Sequence, residues 1–199
     1  MYNKLCISVN KYSFLAIIFI LCSCTGNRSY TPKPRGFLRI ELPVAQYLPI
    51  CETDLFYEFS VSQQVIIELP PTGSTEYWMN IDYPGLNAKI YCSYKQITTQ
   101  TLDEHIQDFI DLTERVAMNA STIKEKAYEN RVNNVYGILF QIEGEVASPI
   151  QFILTDSVSH FFRGALYFKN IYNHDSIAPV TEYIMNDITE FIQSFHWKN

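Results

Sequence analysis

Aspartate, serine, histidine and arginine all fall within the stretch Thr155-Asp156-Ser157-Val158-Ser159-His160-Phe161-Phe162-Arg163-Gly164. These residue types do acid–base and nucleophilic chemistry, but a triad is a matter of geometry, not of neighbouring positions in sequence. Asp156 and Ser157 lie where a tight turn between two strand-like runs is expected, and such residues bond their own backbone there. His160 is then expected to face Asp156 across the hairpin. The chain has no nucleophile elbow and no glycine-rich oxyanion loop. Turn chemistry is therefore the favoured reading, a partner-binding hairpin the second and catalysis the last. Arg163 matters for a different reason. On an otherwise apolar strand its guanidinium must reach solvent, pair with a carboxylate or meet a partner.

The remaining reactive side chains are dispersed. His105, His160, His174 and His196 form no i,i+4 pair, and no Cys/His pattern matches a metal site. No metal or other cofactor is expected. His105 is read as solvated, and Asn173-His174-Asp175-Ser176 as a loop ending in a helix cap. Asp103, Asp108, Asp111 and Glu114 read first as a solvated helix face and second as a docking surface. Tyr47, Tyr57, Tyr91 and Tyr172 are candidates for an interface, although sheet packing accounts for most such tyrosines.

These residues need elements to position them. With 14 Tyr, 13 Phe and 47% hydrophobic content, the 199-residue chain can bury a core and leans towards β structure. Strand patterns run at 55–61, 65–69, 77–82 and 88–96, with Pro70-Pro71-Thr72-Gly73 and Tyr83-Pro84-Gly85 as turns. The period then changes. Leu102, Ile106, Phe109, Ile110, Val116 and Ala117 share one face of a helix over 101–118, with Thr101 as the expected N-cap. Four more strand patterns follow at 122–129, 134–143, 149–155 and 159–169. A second helix is predicted over 178–194, with Pro179 in its first turn. The fold class is α+β: an antiparallel β-sheet flanked by two amphipathic helices. The order also resembles the Mog1/PsbP-like α/β/α sandwich.

The first 24 residues follow other rules. Lys4 and Lys11 precede an apolar run from Tyr12 to Cys22, about eleven residues against the roughly 20 that span a bilayer. That is a signal-peptide pattern. Leu21-Cys22-Ser23-Cys24 resembles a bacterial lipobox, aliphatic at −3 and small at −1, which makes Cys24 the acylated residue. An uncleaved anchor, or cleavage elsewhere, is the competing reading. The expected organisation is a lipoprotein signal peptide over 1–23, a lipidated tether over 24–35 and a single globular α+β domain over 36–199. Several acyl chains, palmitate among them, would give stable anchoring.

Removing residues 1–23 takes the formal charge from −6 to −8. Arg28, Lys33, Arg35 and Arg39 all precede the first acid, Glu41, so a basic tether leads into an acidic body. The tether suits anionic headgroups or plain solvent. The body has the wrong sign for nucleic acid, which is excluded as a partner. Cys51 and Cys92 remain after processing, and a bridge or two free thiols are equally compatible with the sequence.

One resemblance runs through nearly the whole mature chain. Tyr30-Thr-Pro-Lys-Pro-Arg-Gly-Phe-Leu-Arg-Ile-Glu-Leu-Pro43 resembles the N-terminal signature of the GldD-type gliding-motility lipoproteins. Ile90-Tyr-Cys-Ser-Tyr-Lys95, Ala147-Ser-Pro149, Thr155-Asp-Ser157, His160-Phe161 and Arg163-Gly-Ala-Leu-Tyr-Phe168 are similar to that family too, as is the terminal Trp197-Lys198. Cys92 and the Glu52-Thr-Asp54 run depart from its pattern. The resemblance implies a non-enzymatic envelope lipoprotein of Bacteroidota, needed for gliding and associated with type IX secretion. Thr25-Gly-Asn-Arg-Ser29 carries neither a surface-export acidic run nor an aspartate beside Cys24, so the periplasmic face of the outer membrane is expected. Arg35, Arg39, Asp156, His160 and Arg163 are the expected partner-binding residues, the partners being other gliding and type IX envelope proteins. The competing function is a periplasmic enzyme or small-ligand binder acting on envelope polymers, which requires a pocket with convergent polar groups.

Overall fold

Along Ala88–Gln96, Ala88, Ile90, Cys92 and Tyr94 are buried while Tyr91, Ser93 and Lys95 are exposed. That period of two is what a pleated strand with one core face requires. The computed structural model describes residues 41–51, 54–169 and 174–198, all within the unit Phe37–Asn199. Its strands are β1 (Tyr47–Ile50), β2 (Tyr57–Ser62), β3 (Ile66–Glu68), β4 (Trp78–Tyr83), β5 (Ala88–Gln96), β6 (Ala120–Asn130), β7 (Val135–Gly144), β8 (Ile150–Thr155), β9 (His160–Phe168) and β10 (His196–Trp197). Helix α1 spans Leu102–Val116 and α2 spans His174–Ser194.

Seven strands form an antiparallel sheet in the order β3-β4-β5-β9-β8-β7-β6, and β1, β2 and β10 form a small second sheet. The junction of β5 with β9 places Cys92 opposite Gly164 and Ser93 opposite Arg163. One face of the large sheet is covered by α2 and β2. Val180, Ile184, Ile188, Phe191 and Ile192 meet Phe152, Leu154, Phe162 and Leu166 there, with Tyr57 and Phe59 from β2 in the same core. On the other face α1 lays Phe109, with Leu102 and Ile106, against Ile153, Phe161, Ile138 and Phe140. Strand β8, between the two layers, is buried at all its positions. The expected α+β architecture, an antiparallel sheet with a helix on either face, is the one observed.

Local details depart from the sequence reading. Thr101 does not cap α1: its hydroxyl donates to the Thr98 carbonyl, and its own backbone is already helical. Pro179 lies inside α2, because that helix begins at His174 and includes residues read as a loop. Residues 41–46 have no regular structure. β1 and β10 were not anticipated. No helix among the described residues is long and apolar enough to cross a membrane.

Candidate functional site

The connection from β8 to β9 is built on one carboxylate. Asp156 Oδ1 accepts backbone N–H bonds from Val158 (2.9 Å), Ser159 (2.8 Å) and His160 (2.8 Å), and Oδ2 accepts the Ser159 hydroxyl at 2.8 Å. Thr155 completes the turn, its hydroxyl donating to the His160 carbonyl at 2.7 Å and accepting the Ser157 N–H at 2.9 Å. Ser157 itself sits at φ 65°, a left-handed conformation that a short polar residue tolerates. Burial alone would raise the Asp156 carboxyl. The backbone amides and the Ser159 hydroxyl outweigh it and hold the group below the ordinary aspartate value.

His160 does not face Asp156 with its ring. Only its backbone N–H meets the carboxylate; Nδ1 lies 2.7 Å from the Tyr94 hydroxyl. The imidazole stacks on Trp197 at 4.9 Å with 13° between the planes. Burial, with the Asp156 charge nearby, pushes the Tyr94 phenol up to about 12, so it stays protonated and available as a donor. The ring nitrogen nearest the turn is thereby occupied.

Arg163 parts company with both. Strand alternation puts His160 and Phe162 on the α2 side and Phe161 and Arg163 on the α1 side. The guanidinium lies 5.7 Å from the centre of the Phe109 ring, a cation–π distance, and among the described residues it makes no salt bridge. Burial lowers its pKa from the usual arginine value, against the opposing influence of Tyr167 and Asp108. Cys24, Arg35 and Arg39 lie outside the described residues. The five expected partner-binding residues therefore do not form one described cluster. Asp156 and His160 share a turn, and Arg163 opens on the opposite face.

Beyond the edge of α1, that opposite face exposes Tyr91 and Ser93 of β5 and leaves Trp78 of β4 and Tyr167 of β9 half-buried. Register brings Trp78, Ser93 and Arg163 into one row and Asn80, Tyr91 and Ala165 into the next. They line a shallow open depression of 390 Å³, together with Tyr167. Tyr91 and Tyr167 meet edge to face at 5.7 Å. Beside them, Lys89 bonds Glu68 at 2.8 Å and approaches Asp82 at 3.5 Å, while Lys169 pairs with Asp82 at 3.0 Å. Sequence reasoning reached Tyr91 and Arg163 singly but not this grouping, whose members come from three separate strands.

His105 is half-buried against Phe161, 5.5 Å between ring centres, rather than solvated. Tyr57 is a core residue, 2% exposed, and Tyr47 donates to Asp187 Oδ1 at 2.8 Å, whereas Tyr91 is 50% exposed. Tyr172 lies outside the described residues. Cys51 and Cys92 are not bridged; Cys51 is exposed and Cys92 buried, its thiol pushed well above the ordinary range by burial. Among the described residues no group of three or more His, Cys, Asp or Glu is placed to hold a metal ion.

Fold and site together define an α+β sandwich domain whose Asp–Ser–His cluster serves a turn and which carries an aromatic depression on the face away from α2. The solution structure of cyanobacterial PsbP from Synechocystis is similar to it at 10% identity, covering 81% of this chain and 98% of that one with a TM-score of 0.47. No curated protein matches the sequence. The family described as gliding motility lipoprotein GldD matches residues 27–197, and the chain belongs to that family. Membership makes it a lipoprotein of the cell envelope, membrane-anchored, with a role in gliding motility.

Proposed function

We propose that this lipoprotein serves gliding, and type IX protein secretion with it, as a non-enzymatic scaffold or assembly factor. It is held through acylated Cys24 on the periplasmic face of the outer membrane. The observation that carries the reading is the state of the Asp–Ser–His cluster. Both oxygens of Asp156 are engaged by the turn, and His160 is held between Tyr94 and Trp197. A general base must reach the proton it removes, and the Nδ1 side of this imidazole is already taken. What the turn does supply is a rigid tip presenting Val158, 58% exposed, and Ser157 to a neighbour. Its docking partners are other gliding and type IX envelope proteins.

The test is a clean deletion of the gene, comparing surface movement and the secreted proteome with the parent strain. The reading expects movement to stop and type IX cargo to accumulate in the envelope. A photoreactive residue at position 158 should then crosslink to an envelope protein. Normal secretion would remove the type IX part, and loss of function in His160→Ala with folding and the crosslink intact would overturn the non-enzymatic part. Fractionation checks the location: recovery in the inner membrane, or cleavage by protease on intact cells, would overturn it.

A further inference from the structure

We propose that the depression over Ala165 is a binding site for an acidic sugar, a pyranose ring carrying a carboxylate within an envelope polysaccharide. The site is separate from the hairpin tip and goes beyond the scaffold role. Three observations meet there. First, the surface is aromatic: Trp78, Tyr91 and Tyr167 line it, and Tyr91 is 50% exposed although its strand is interior to the sheet. Exposed aromatic faces of this kind suit the C–H faces of a sugar ring, and Asn80 and Ser93 beside them offer donors and acceptors to its hydroxyls.

Second, one cation that lines the depression makes no ion pair among the described residues. The neighbouring lysines and acids neutralise one another, Lys89 with Glu68 and Lys169 with Asp82. Arg163 has no such partner among the described residues, although it is half-buried. A forked, partly desolvated guanidinium that no carboxylate touches, Asp108 acting on it only from beyond ion-pair distance, is complementary to a carboxylate, which it can bind with two parallel bonds. Third, the dimensions agree. Arg163 and Tyr167 lie four residues apart on one face of β9, about 13 Å, and Ala165 between them leaves the notch open. The volume of 390 Å³ falls within the range of small-ligand sites, roughly 300–1,000 Å³.

A peptide fits less well. β5 and β9 are paired on both sides, so their backbones cannot accept an added strand. Ala165 is also the one aliphatic side chain in the lining, whereas a protein partner needs a buried apolar centre.

The experiment is calorimetric titration of the full lipoprotein in neutral detergent micelles. The probes are a galacturonate trimer, a neutral galactose trimer and a glutamate hexamer. The expected result is saturable binding of the galacturonate trimer, at least tenfold tighter than the neutral trimer and than the hexamer. Arg163→Gln should weaken it at least tenfold, and Tyr91→Ala, at an exposed position that leaves the core intact, should do likewise. Unchanged melting of both variants establishes that the site, not the fold, was altered. Absence of saturable binding, survival of binding in Tyr91→Ala, or equal or tighter binding of the glutamate hexamer would each overturn the proposal, the last in favour of an acidic protein segment. None of these outcomes touches the deletion phenotype on which the scaffold reading depends.

Discussion

Two aspartates illustrate how little a residue's type says about its role. Asp156 is partly exposed and its carboxylate is bonded by four donors; Asp187 is 3% exposed and takes a proton donor from Tyr47. Their titrations move in opposite directions. Asp156 is held below the unfolded value of about 3.9, so its contribution is present above that pH and is lost as pH falls through the folded value. Asp156→Ala should cost about 2 kcal/mol at pH 7. Thermal melts at pH 7 and pH 3 should show the gap to the parent narrowing in acid. For Asp187, burial raises the carboxyl against the opposing hydroxyls of Tyr47 and Tyr83. Its contribution is fullest below about pH 4 and declines as pH rises through the folded value. Asp187→Asn should therefore gain on the parent between pH 4 and pH 7 in denaturant midpoints. The turn role of Asp156 was legible in the sequence because Asx chemistry is local. Asp187 was not, since its partner is 140 positions away.

At the scale of elements, the close approach of β9 to β8 depends on Gly164. A Cβ there would stand 2.3 Å from the Phe152 ring, on the face that packs under α2. Gly164→Ala should cost ~2 kcal/mol, by urea titration, because the ring must leave its rotamer in a filled core. The short strand β10 closes the other end. It pairs His196 with Glu58 and Trp197 with Tyr57, and the Trp197 indole stacks on His160 and donates to the Asn134 carbonyl at 3.2 Å. Trp197→Ala should cost about 3 kcal/mol and should change the near-ultraviolet circular dichroism more than the far. Both helices and eight of the strands followed from periodicity, since an amphipathic face or an alternation is written into neighbouring residues. β10 spans two residues, too few for any period, and β1 shows no alternation that a sequence could reveal. The depression is not legible in the sequence for a related reason. Alternation shows that Trp78, Tyr91 and Tyr167 point away from α2, but only the pairing of β4, β5 and β9 sets them side by side.

For the whole molecule, the sheet order matters more than any single contact. The central pairing joins β5 to β9, some seventy positions apart, while α2 and β10 cover a core begun by β2. Little of the apolar interior can close until those late elements arrive. A chain shortened to residues 1–173 should therefore lack fixed tertiary packing, measured as lost near-ultraviolet dichroism and rapid proteolysis relative to the parent. The acidic body and the basic residues before Glu41 were readable from composition alone; the dependence on late elements was not, because it is a property of connectivity. An envelope lipoprotein has to leave the compartment where it is made. With β10 pairing to β2, a chain halted before residue 196 lacks the closing strand of that sheet. Such a chain should stay more open to proteolysis than the finished domain, a state compatible with threading through an export channel.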